Sequence, residues 1–343
     1  MNDFWELLET LCGLDAPSGC EDAVRSFIRE QAAPFADETV EDPMGNLMVL
    51  RRGAAALEKP LMLCAHMDEV GVIVKRITDE GMVKFGFVGG VDPRVAIGRR
   101  VRFTNGVRGV VGIKAVHLTT PAERKTMPKT KDLYIDVGAG SRAQAEARLS
   151  PGDYGTFDVE NRRFGDGLFK AKALDDRVGC AVLLTLLRGQ PAVDTWFCFT
   201  VQEEVGLRGA ATAAFRVDPG LCLIVEGTTA ADLAEAPAHK QVCRLRGGAV
   251  LPFMDRGTVY DRELFGLLRG AAEGLGFKWQ TKHMVAGGTD AGRIHKVRTG
   301  VRTAGIAVPV RYIHSPVSVA AAEDIEGVLA VSRAFLNGFG GLE

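Results

Sequence analysis

Apolar positions near the start of the chain fall on one helical face. Phe4, Leu7, Leu8 and Leu11 keep the i, i+3, i+4, i+7 spacing. A second helix is predicted behind "SGCE", where Ser18 and Glu21 have capping-box spacing and Val24, Phe27 and Ile28 supply the apolar face. "GNLMVLRRG" (45–53) reads as a strand. So does "KPLMLCAH" (59–66), whose unbroken apolar centre suits a strand covered on both faces. From about residue 70 the texture changes to short Val-, Ile- and Gly-rich segments broken by turn residues, among them "VGVIVKRI", "GMVKFGFVGG" and "DLYIDV". This pattern predicts a small β module over 70–163.

Helix and strand then alternate again. "DDRVGCAVLLTLLRG" predicts a buried helix that begins at two acids, "DTWFCFTVQ" and "GLCLIVE" predict strands, and "RELFGLLRGAAEGLG" predicts a helix. "GVRTAGIAVPVRYIH" (300–314) holds at least one more strand, and "AAEDIEGVLAVSRAFLNGF" closes the chain as a helix. Alternation of this kind argues for the α/β class, with a mixed, mainly parallel sheet flanked by helices. The expected organisation is a discontinuous domain, 1–69 plus 164–343, interrupted by the β module at 70–163.

Composition narrows the partners. The 343 residues are 46% hydrophobic and 25% charged, and the net charge is −1. No long basic run is present, which argues against nucleic acid; the basic cluster in "PAERKTMPKTKD" (121–132) reads as a solvated loop. No stretch approaches the roughly 18 apolar residues of a membrane span. The start, "MNDFWELLET", lacks the basic and apolar regions of a secretory signal. The seven cysteines are scattered without a C-x-x-C, and Cys64, Cys180, Cys198 and Cys222 lie inside apolar runs. They read as reduced core residues of a cytoplasmic protein.

Candidate chemistry gathers where the apolar runs stop. His66 and Asp68 follow "LMLC", Glu203 and Glu204 follow "WFCFTVQ", Glu226 ends "LCLIV", and His314 follows "VPVRYI". Asp175 and Asp176 sit where a loop becomes a helix. In open α/β sheets, ligands bind beyond the carboxyl ends of the strands, so these residues share one rim. Singly, each has an ordinary reading: a core histidine, an N-cap, a surface pair. Together they are a set of imidazoles and carboxylates that suits Zn²⁺, Co²⁺ or Mn²⁺. So many carboxylates need more than one cation, and two metals about 3.5–4 Å apart would use them.

The strings "AHMDEVG", "ALDDRVG", "VQEEVGLRGA", "GGTDAG" and "PVRYIHSPVSV" resemble the dimetal aminopeptidases of the glutamyl aminopeptidase, or tetrahedral (TET) peptidase, family. The resemblance covers nearly the whole chain, including "DPMGNLMV" and "VGGVDPRVAIGRRV". It implies an α/β peptidase domain interrupted by a small PDZ-like β-barrel used in dimerisation and oligomerisation. It also implies assembly from dimers up to tetrahedral dodecamers, and peptide substrates with a free N-terminus.

Carried over residue by residue, the resemblance implies that His66, Asp175 and Glu226 hold one metal. Asp175, Glu204 and His314 hold the second, with Asp175 as the bridge and a cis peptide bond after it. Asp68 orients His66 through its other ring nitrogen. Glu203 is left free as general base toward the water, and Thr289 and Asp290 support the site. Glu226 is a departure, since many relatives carry Asp there. Three rivals stay open. Another dimetal exopeptidase or deacylase, carboxypeptidase-like in action, would share many of these motifs. A glycoside hydrolase built on two carboxylates would leave His66 and His314 unexplained. A non-catalytic shell protein would have no use for Glu203.

Overall fold

The computed structural model describes residues 1–234 and 236–341. The first apolar face forms as the helix Asn2–Gly13, which buries Phe4, Leu7, Leu8 and Leu11. The second helix runs Asp22–Ala32 and buries Val24 and Ile28. The expected capping box at its start does not form. Ser18 Oγ donates instead to Asp68 Oδ2 at 2.5 Å, and Glu21 Oε1 accepts from the main-chain N–H groups of Gly19 and Gln202. Both side chains are drawn away from the helix by buried partners that a local spacing rule does not see.

Eight strands form a mixed sheet in the order Glu38–Glu41, Leu47–Arg51, Thr195–Thr200, Leu61–His66, Leu221–Thr229, Arg302–Val310, Ala249–Val250, Trp279–Gln280. The middle of the sheet, from Thr195–Thr200 through Arg302–Val310, is parallel. Leu47–Arg51 and Ala249–Val250 join it antiparallel.

The parallel strands are covered on both faces, which their unbroken apolar runs require. On one side lies the helix Leu174–Leu187, buried almost all round, as an apolar helix must be. On the other, the helix Arg208–Val217 packs Ala210, Ala213 and Ala214 against Met62, Cys64, Cys198 and Cys222. One strand differs from expectation. Leu221–Thr229 continues past Glu226, because Gly227, Thr228 and Thr229 pair in register with Val308, Pro309 and Val310. Glu226 therefore projects from within a strand, not from its end.

Six strands between Gly71 and Phe157 close into an antiparallel barrel. Its separate core includes Val72, Val74, Phe85, Val101, Phe103 and Ile135. A three-stranded antiparallel sheet, Arg162–Phe164, Leu168–Ala171 and Ser318–Ala321, joins the segment after the barrel to the entry of the last helix, Ala322–Asn337. Among the described residues no helix is long and apolar enough to cross a membrane.

Candidate active site

The parallel strands deliver their polar residues to one place. His66 is the last residue of its strand and is buried. Asp175 stands at the N-terminal end of the helix Leu174–Leu187 with non-helical backbone angles, and the peptide bond between Asp175 and Asp176 is cis. Asp176 turns into the protein, where its carboxylate accepts from the N–H groups of His66 and Gly179. A Cβ at residue 227 would lie 3.1 Å from Asp175 Cα and Cβ, so Gly227 lets the strand pass close beneath the acid.

Two three-residue groups share Asp175. His66 Nε2 lies 3.3 Å from Asp175 Oδ1 and 3.1 Å from Glu226 Oε1. His314 Nε2 lies 3.4 Å from Asp175 Oδ2 and 3.2 Å from Glu204 Oε2. Two ligand atoms held about 2.0–2.1 Å from a tetrahedral ion stand roughly 3.3–3.4 Å apart. The observed spacings and the nitrogen and oxygen donors thus fit small divalent cations, which His66, Asp175 and Glu226, and Asp175, Glu204 and His314, would hold. Glu203 belongs to neither group, and its Oε2 is 4.0 Å from His66 Nε2.

Electrostatics of the bare side chains describe the same cluster. Burial pushes Glu204 and Glu226 up to about 8, and pushes Glu203 well above the carboxylate range. Burial alone would lower His314, but its hydrogen bond to Asp175 and the charge of Glu204 outweigh that and lift it to about 9. Acids that hold protons and imidazoles that hold charge are what a metal-ligating cluster looks like when its own groups must balance one another.

Asp68 is buried and serves two sides. His66 Nδ1 lies 3.1 Å from the main-chain oxygen of Asp68 and 3.4 Å from its carboxylate, so the carbonyl is the nearer orienting partner. The carboxylate mainly receives main-chain donors: Glu203 N–H at 3.0 Å on Oδ1 and Glu204 N–H at 3.1 Å on Oδ2. Asp290 lies behind the site, where its Oδ2 accepts from Thr200 Oγ1 at 2.6 Å. Thr289 Oγ1 meets the Tyr260 hydroxyl at 3.1 Å.

The barrel also reaches the site. Gly89 has a positive φ of 85°, and a Cβ there would sit 2.8 Å from Val70 Cγ1 and 3.4 Å from Glu204 Cβ. A Cβ on Gly90 would sit 3.6 Å from His314 Nδ1. Next to His314 opens a cavity of about 790 Å³ whose lining includes Asp92, Arg99, Phe164, Lys170 and Tyr312. Asp92 is paired with Arg94. Of the polar residues at the site, Ser18, Glu21 and Asn46 had not been anticipated. Ser18 and Glu21 carried a signal that read equally well as a helix cap.

The family model for M42 glutamyl aminopeptidase matches residues 45–331. A lysyl aminopeptidase of Pyrococcus furiosus is 31% identical, with 97% of this chain and 96% of that protein covered. The crystal structure of a TET aminopeptidase from the marine sediment archaeon Thaumarchaeota archaeon SCGC AB-539-E09 superposes with a TM-score of 0.93 at 33% identity, covering 98% of this chain and 96% of that one. The TET1 peptidase of Pyrococcus horikoshii, which can assemble into a tetrahedron or a large octahedral shell, gives a TM-score of 0.85 at 29% identity over 97% and 99% of the two chains. With the fold, the shared aspartate and these matches in hand, the chain belongs to the M42 glutamyl aminopeptidase family and is a hydrolase of the aminopeptidase class.

Proposed function

We propose that the protein removes the N-terminal residue of peptides in a reaction that depends on two divalent metal ions. The observation that carries this reading is the division of Asp175. One of its oxygens faces His66 and the other faces His314, at 3.3 and 3.4 Å. In this reading His66, Asp175 and Glu226 hold one ion and Asp175, Glu204 and His314 the other. Zinc or cobalt suits these donors best, with manganese the third candidate. Such ions, when bound, act as Lewis acids that draw down the pKa of water and polarise the scissile carbonyl.

Glu203 is the general base. It takes the proton of the attacking water and returns it to the leaving amine. Glu204 cannot do both jobs, because its carboxylate is engaged with His314. Asp68 keeps both glutamates in place through their main-chain N–H groups.

The cavity beside His314 suits the side chain of the residue to be released. Its one acid, Asp92, is neutralised by Arg94, which leaves Lys170 and Arg99 to set its charge and to favour an acidic first residue. The catalytic unit is 1–69 plus 164–343, and the barrel unit, 70–163, serves assembly into a homo-oligomer, from a dimer up to a tetrahedral dodecamer. The cysteines, free among the described residues, support a reducing cytoplasmic setting.

The test is a panel of free-amine aminoacyl-nitroanilides and their N-acetylated forms, run after chelation and after return of Zn²⁺, Co²⁺ or Mn²⁺. Cleavage of free-amine substrates only, and only with metal, supports the reading. Equal cleavage of the acetylated forms, or full activity after chelation, rejects it.

A further inference from the structure

The segment that carries Glu203 is gripped by its backbone. Four successive main-chain N–H groups each meet a side-chain oxygen from elsewhere in the chain. Val201 N–H donates to Asn46 Oδ1 at 3.0 Å and Gln202 N–H to Glu21 Oε1 at 3.1 Å; Glu203 and Glu204 donate to the two oxygens of Asp68. Ser18 Oγ and Gly19 N–H tie the two carboxylates into one turn, since Ser18 donates to Asp68 and Gly19 to Glu21.

The grip holds a conformation that the chain would not choose. Gln202 has φ 57°, in the left-handed region that a non-glycine residue rarely adopts. Such a residue persists only where its surroundings over-determine it. Leu207 repeats this at φ 59°, so the turn between Thr200 and Arg208 is bent at both ends.

Among the described residues, Glu21 is the member with no other occupation. It is buried, and its recorded side-chain partners are main-chain amides. Arg25, the next cation along the helix, is turned to Asp22 and Glu41. A buried carboxylate without a counter-charge is costly, and here it also stands near the charge of Asp68. Helix capping does not explain it, because its side chain makes no capping bond.

We propose that Glu21 is a positioning residue for the general base, acting as the acceptor that holds the Gln202 N–H and so sets where the Glu203 carboxylate points. The inference rests on Glu203 being the base. Asn46 and Asp68 hold the amides on either side, and Glu21 closes the gap between them.

Two measurements on the metal-loaded, full-length protein test this. In Glu21→Ala, kcat should fall on the order of 10²-fold, the scale of a roughly 1 Å misplacement, while KM moves less than about threefold. Glu21→Gln keeps an amide oxygen where Oε1 stands and should recover most of that loss. Hydrogen–deuterium exchange of the segment 200–207, read without substrate, should speed up in Glu21→Ala and stay near wild type in Glu21→Gln.

If the wild type is inactive on every amine substrate, the aminopeptidase reading fails while the exchange data still decide the role of Glu21. If the wild type is active and Glu21→Ala matches it in kcat and in exchange, the inference is overturned. Equal damage in the Ala and Gln variants also overturns it, since charge or bulk, not the acceptor, would then be what matters. Should Glu21→Ala fail to fold, Glu21→Gln against Glu21→Met poses the same question with bulk retained.

Discussion

Glu226 Oε1 stands 3.1 Å from His66 Nε2, although Glu226 projects from the interior of its strand while His66 ends the strand beside it. The parallel register sets Ile224 beside Cys64, and each of the two residues stands two positions further on. Glu226→Asp withdraws the oxygen by one methylene and should weaken binding of one ion on the order of 10-fold or more, leaving the ion on the His314 side in place. Equilibrium dialysis with metal analysis would check it. Two equally tight ions in the variant would remove Glu226 from the ligand set.

Glu203 lies apart from both donor groups, and its loss should be felt in rate, not in metal content. Glu203→Gln is expected to lower kcat by about 10²–10⁴-fold, the usual contribution of a general base, with both ions retained. The comparison is of kcat with metal stoichiometry on the same preparation. A variant that loses an ion along with activity would make Glu203 a ligand instead.

The cavity charge can be cancelled by one substitution. With Asp92 paired to Arg94, Lys170→Glu changes the balance at the wall by two units. Specificity, the ratio of kcat/KM on glutamyl to that on lysyl nitroanilide, should drop on the order of 10-fold or more. An unchanged ratio would put the first side chain elsewhere.

Glu21 also gives a stability signature that depends on pH. Burial lifts its carboxyl from 4.5 to about 6, against the lowering bond from Gly19, with Asp68 adding to the rise. The folded state therefore binds this proton more tightly than the unfolded state does. Stability is lost as pH rises through the interval from 4.5 to about 6, and above it the buried charge costs about 2 kcal/mol. Glu21→Gln has no such proton. It should melt higher than wild type at pH 8, and the difference should vanish toward pH 4.5. Parallel melting curves across that range would show a constant difference if the carboxylate were not buried as described.

Much of the architecture was legible because it is written locally. The apolar runs that stop at His66 and before Glu203 mark strands by composition, and the change of texture near residue 70 marks the barrel. What was not legible is what depends on distant partners. Ser18 and Glu21 satisfy the spacing of a helix cap, and only the buried Asp68 and the Gln202 amide, far along the chain, decide otherwise. Glu226 looked like a strand end because polar residues follow it, yet pairing with Val308–Val310 carries the strand on. The three-stranded sheet escaped notice for the same reason: Arg162–Phe164 is short and exposed, and Leu168–Ala171 finds its other partner only at Ser318–Ala321.

The glycines at 89 and 90 carry the barrel's backbone up to Glu204 and His314 with no side chain between. The barrel is thus not an appendage hung on a finished domain, because one stretch of wall beside the candidate site belongs to it. A shift of the barrel's backbone at these two positions would therefore press on Glu204 and His314, which face Asp175. If the barrel serves assembly as proposed, these two glycines are where subunit contacts and turnover would meet.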